Sequence, residues 1–150
     1  MTNVRIQDLR NGMLASLAAT IVLSAIMVMK QLAGMVPQMN PIADLAGIAH
    51  SLLGVPAVPL VGWVLHFAIG AFVWGALFAI LHSTIPGSSL FKGVLFGIGA
   101  WLLMMCLFLP MAGQGFFCMN VGVVIPVMAL MLHLVYGAVL GIVFGKLSAR

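Results

Sequence analysis

No fixed charge stands between Asp44 and Lys92, and none between Lys92 and Lys146. Each uncharged interval can hold two apolar spans of about 20 residues, or one span and a loop. Composition removes the soluble alternative. Hydrophobic residues make up 64% of the chain and charged ones 5%, whereas soluble domains carry roughly a quarter charged residues. The mean hydropathy of +1.27 agrees. The expected fold class is therefore an all-α polytopic membrane protein.

The net charge of +4 does not make a nucleic-acid footprint, because the basic side chains form no patch or run. They mark the ends of apolar segments, where topology signals belong. Two cysteines make no disulfide framework; Cys106 is expected inside a span and Cys118 in a loop, which leaves their pairing open but not favoured.

Four transmembrane helices are predicted as two tandem hairpins, over about 11–34, 60–82, 90–111 and 121–147, in one domain covering 1–150. The first begins after Arg5 and Arg10 and is longer than the apolar core of a signal peptide, so it is expected to stay as an uncleaved helix. The connection after it contains Pro37, Pro41, Pro56 and Pro59, which rule out a straight span. Within it, Asn40-Pro41 forms a cap and first-turn pair, and Ile42, Leu45, Ala49, Leu52 and Leu53 recur at helical spacing. A short interfacial helix over about 41–53, ended by Gly54, is the expected result. Pro110 falls near the end of the third span and Pro126 early in the fourth.

With the N-terminus inside, Arg5, Arg10, Lys92, Lys146 and Arg150 fall on one side and only Lys30 on the other. The positive-inside rule then places both termini in the cytoplasm, for a bacterial inner-membrane protein. Trp63 is expected as an interfacial anchor, and Lys30 reaches the interface or pairs with Asp44. Small residues recur four apart: Ala71, Gly75 and Ala79 in the second span, Gly93 and Gly97 in the third, and Gly137, Gly141 and Gly145 in the fourth. Such stripes let helix backbones approach closely, within the bundle or against a partner such as a second copy or a larger membrane complex. The chain also reads as a weak duplication. Arg10-Asn11-Gly12 opens one half and Lys92-Gly93 the other, and each half ends in a helix with Leu-His-x-x-x-Gly.

Gly93, Trp101, Leu103-Met104-Met105, Pro110-Met111-Ala112-Gly113-x-Gly115 and His133-x-x-Tyr136-Gly137 together resemble a bacterial family of small four-helix membrane proteins of unknown function. The resemblance covers most of the chain and implies this topology. It brings no activity with it.

Two histidines carry the sharpest chemical expectation. Aligned by motif, His66 and His133 lie at similar depth on two helices that run the same way. Two neutral imidazoles across a gap are what a b-type haem needs as axial ligands, and Gly70 and Gly137, one turn along, leave room for a flat ring. The plainer reading is hydrogen-bonding glue between helices, with Ser16, Thr20, Ser24 and Tyr136 as partners.

Methionine is the second feature. Met27, Met29, Met35, Met39, Met104, Met105, Met111, Met119, Met128 and Met131 all fall in the half away from the termini. Thioether sulfur suits Cu(I), so Met104, Met105, Cys106, Met111, Cys118, Met119, Met128 and Met131 form an alternative copper set. Against it, methionine is also a flexible apolar filler. His50 and His82 are expected to be exposed.

The spans hold no carboxylate for a proton path, and the chain has no C-x-x-C, no H-E-x-x-H and no phosphate loop. A self-contained enzyme is not expected. Three readings follow: a small membrane subunit or accessory protein holding haem, a copper-handling protein, or a packing subunit with no ligand.

Overall fold

The computed structural model describes residues 4–35 and 40–149; Pro37, Met39 and Arg150 lie outside them. We number the helices α1 (Ile6–Leu32), α2 (Pro41–Leu53), α3 (Pro59–Leu81), α4 (Ser89–Met111) and α5 (Val124–Ser148), with a 3-10 turn, Phe116–Cys118, between the last two. All except α2 are long and apolar enough to cross a membrane, and no strand occurs among the described residues. Rows of exposed apolar side chains, such as Ile21, Phe72, Leu102 and Val127, face outward as a lipid environment requires.

Local chemistry sets most of the ends. α1 starts five residues before its apolar run, because Asp8 accepts the Arg5 backbone N–H at 3.0 Å and carries the helix out past the charges. The Asn40 side chain caps α2 through the Ala43 N–H at 3.1 Å, and Gly54 ends it with φ +70. α5 starts three residues later than expected. Phe117 and Cys118 take φ of +50 and +57 and Gly122 takes +133, so the chain cannot yet be helical.

Two spans contain a π turn that was not anticipated: Ile69–Val73 in α3 and Met104–Phe108 in α4. The second has a local cause. Pro110 lacks an N–H and its ring crowds the carbonyl four residues back, so the preceding turn widens. The first has no proline; there the Ser16 hydroxyl of α1 donates to the Gly70 carbonyl within the widened turn.

α1 and α5 are the central pair, with α3 against α1 and α4 against α5. Asn11 Nδ2 donates to Ser148 Oγ at 3.5 Å, so both ends of the chain meet at one end of the bundle. That half is solid. Ala15, Ala19, Phe78, Phe96, Leu140 and Phe144 fill it, and Phe78 lies 5.2 Å from both Phe96 and Phe144 between ring centroids. A second cluster, with Met105, Leu109, Cys118, Ile125 and Ala129, packs the far end of α4 and α5.

The glycine stripes are used within the chain. A Cβ on Gly12 would stand 2.3 Å from the Gly75 carbonyl oxygen, and one on Gly93 2.2 Å from that of Gly137. Gly97 faces the His133 carbonyl, and Gly141 that of Ser89. Ala71 and Ala79 are buried as well, whereas Gly145 touches only the Ser89 side chain. Gly62 also supports a close contact, on the Ile42 carbonyl, and holds α2 against α3. Any partner docking must therefore use other faces.

Candidate functional site

At the end away from the termini the bundle opens. α3 and α4 meet through Trp74 and Phe78 against Phe96, with centroids 5.8 and 5.2 Å apart. Beyond that closure lies a cavity of about 620 Å³, with walls from α1, α3, α4 and α5 and with the start of α2 at its edge. Most of the wall is apolar. Its polar groups are Thr20, His66, His133 and Tyr136 within, and Lys30, Gln31 and Asn40 at the far end.

Both histidines singled out by the motif line this one cavity, each half-buried. Their hydrogen bonds assign their protons. His133 Nδ1 lies 2.8 Å from the Ala129 carbonyl, which can only accept, so Nδ1 carries the proton and Nε2 keeps its lone pair. Ser24 donates its one hydroxyl proton to the Thr20 carbonyl at 2.7 Å. It therefore accepts from His66 Nε2–H at 3.0 Å, which leaves the His66 lone pair on Nδ1. By the same logic Tyr136 donates to Ser16 at 2.6 Å, and Ser16 donates to Gly70.

Gly97 of α4 faces the His133 carbonyl, and Ser16, the corresponding residue of α1, meets the Gly70 carbonyl. Ser16 also bonds Tyr136, three residues after His133, while Gly70 lies four residues after His66. Gly70 lines the cavity and Gly137 does not. A Cβ on Gly70 would strike the Thr20 side chain, and one on Gly137 the Gly93 backbone, so both serve helix contact.

Thr20 is 1% exposed, and its Oγ1 has no hydrogen-bond partner among the described residues. An unmet buried hydroxyl costs about 1–3 kcal/mol. A Thr20→Val variant is accordingly expected to be about 1 kcal/mol more stable in ligand-free protein, read as the thermal unfolding midpoint in detergent.

The copper set is dispersed. Met104, Met111 and Met128 line the cavity, but Met105 and Cys118 are core residues, and Cys106, Met119 and Met131 are exposed. Both cysteines are free. For the α4 members, sequence spacing could not separate these groups, because the wide turn over Met104–Phe108 resets which side each residue takes. Among the described residues no three His, Cys, Asp or Glu side chains gather as a metal cage. Trp63 lies on the cavity wall beside His66, 5.7 Å between centroids. His82 is half-buried, not exposed. It packs on Phe144 at 4.4 Å and bonds Ser89 at 3.2 Å, and burial together with the Lys92 charge holds its pKa below the usual range. His50 is exposed, as expected, with Nδ1 on the Val55 carbonyl.

Lys30 and Asp44 do not pair; the ion pair among the described residues is Arg5–Asp8. Asp44 lies near Gln114 and Cys118. Burial pushes its carboxyl above the ordinary 3.8, opposed by the Gln114 side chain. Burial and the Asp44 charge also push up the Cys118 thiol. A raised carboxyl binds its proton more tightly in the folded protein. Its contribution to stability is therefore full below the ordinary value and is lost as pH rises through the raised one. An Asp44→Asn variant should remove that loss. The stability of wild type relative to the variant should fall with rising pH from about 4 upward, followed by thermal unfolding across the range.

No curated protein and no solved structure matches the chain. The profile of a family of unknown function (DUF6789) matches residues 6–150, and the chain belongs to that family.

Proposed function

We propose that this small integral membrane protein is a subunit or accessory protein of a larger membrane complex and holds a b-type haem in the cavity between its hairpins, for electron transfer or assembly. The reading rests on one observation: two imidazoles from different hairpins line the same apolar cavity, each with an uncommitted lone pair. His133 is the stronger ligand. Its terminal nitrogen, Nε2, is free, and its Nδ1–H is anchored to a carbonyl, as the outer hydrogen bond of a metal-binding histidine usually is. His66 has its terminal nitrogen on Ser24, so its ligation requires that bond to be exchanged. A haem would supply one-electron chemistry; the chain supplies the ligand, the apolar walls and an unmet Thr20 hydroxyl.

Cu(I) is the second reading, favoured by Met104, Met111 and Met128 on the wall that also carries His133. One preparation distinguishes the two. Protein expressed with haem and copper supplied, then purified in detergent, is expected to show a Soret band that depends on His133. Stoichiometric copper in a colourless sample would establish the second reading instead. Neither signal would sink both and leave a packing role.

A further inference from the structure

The far end of the cavity carries a charge that the haem ligation does not use. Among the described residues Lys30 is the one lysine or arginine at that end of the molecule, and it lines the cavity wall. Its neighbours Met29 and Leu32 are exposed, at 60% and 83%, and face outward, whereas Lys30 is half-buried. Among the described residues its ammonium has no hydrogen-bond or ion-pair partner. Asp44, the other fixed charge there, does not line the cavity and sits against the Gln114–Cys118 loop.

Two neutral donors share this edge with Lys30. The Gln31 side chain lines it, and Asn40 uses Oδ1 to cap Ala43, which leaves its Nδ2 protons available. The N-terminus of α2 begins at the same place, with Pro41 and Ile42 on the wall, and adds its partial positive charge. An ammonium at the rim of an apolar cavity is stabilised most by an anion that arrives attached to an apolar body. Charge-assisted hydrogen bonds to a carboxylate are about twice as strong as neutral ones, and the low dielectric of the wall strengthens them.

We infer that Lys30, with Gln31 and Asn40, forms a carboxylate-binding rim, so that the cavity takes an amphipathic anion with its apolar body toward Thr20 and His133 and its acid groups at the far end. The inference rests on the reading of the cavity as a ligand site and names the end of the ligand that His133 does not touch.

The test uses metal-free protoporphyrin IX, which carries two carboxylates and cannot ligate histidine through iron, beside its dimethyl ester. Full-length protein in detergent is titrated with each, and binding is followed by quenching of tryptophan fluorescence. The acid is expected to bind about tenfold more tightly than the ester. Lys30→Met should reduce that preference to within about twofold, and Lys30→Arg should retain most of it. The Lys30→Met sample in the same micelles corrects for unequal partitioning of the probes, and its thermal midpoint checks that it is folded. Equal binding of acid and ester by the wild type, an undiminished preference in Lys30→Met, or no binding of either probe overturns the inference. Failure of the haem reading looks different: the acid still binds through Lys30, but added haem gives no His133-dependent Soret band.

Discussion

A Gly93→Ala substitution is expected to destabilise the bundle by about 1–3 kcal/mol, while Gly99→Ala, on the same helix, stabilises it by up to about 1 kcal/mol. The opposite signs come from what one methyl group meets. At Gly93 it would lie 2.2 Å from the Gly137 carbonyl oxygen and 2.7 Å from Gly141 Cα and N. None of these is the end of a flexible side chain, so α4 and α5 must move apart along their crossing. At Gly99 nothing lies within 4 Å, and only the intrinsic preference of alanine for helix remains. Thermal unfolding of the two variants in one detergent decides the matter. Equal effects would mean that the α4–α5 crossing is not set by backbone contact.

The second large effect concerns the two histidines, which should not behave alike. His133→Ala is expected to lose the Soret band. His66→Ala should keep it but shift the bound haem from six-coordinate low-spin to five-coordinate high-spin, seen in the visible bands and by electron paramagnetic resonance. The asymmetry follows from their hydrogen bonds: His133 presents a free Nε2, and His66 Nε2 is held by Ser24 at 3.0 Å. Ser24→Ala should free it and raise the six-coordinate fraction. If the two histidine variants lose haem equally, the ligands are equivalent and the Ser24 bond to His66 does not govern binding.

The two histidines also show how far spacing along the chain can be carried. The matching hexapeptides at His66 and His133 correctly put both imidazoles at one cavity, since intramembrane polar groups turn away from lipid. They could not set the register between helices, because equal spacing within two helices says nothing about how each helix slides against its neighbour. Gly12 on Gly75 sets that register in one hairpin, and Gly93 on Gly137 sets it in the other. The Ile69–Val73 π turn takes up an extra residue within α3. Methionine misled for a related reason. Its abundance marked the open half of the bundle, but only the α4 turn decides that Met104 lines the cavity while Met105 is buried beside Leu109.

The sequence by itself determined the membrane class, the four spans, the short helix after Asn40-Pro41 and the small-residue faces. These depend on local properties: transfer of apolar segments from water, proline's missing N–H, and glycine's lack of a side chain. Only the tertiary structure decided which helices pair, how they are registered, and that Lys30, Thr20 and both histidines share one cavity. Those outcomes come from backbone-to-backbone contact and from the Ser16 hydroxyl bonding a carbonyl 54 residues away, which no pattern within a single helix can encode.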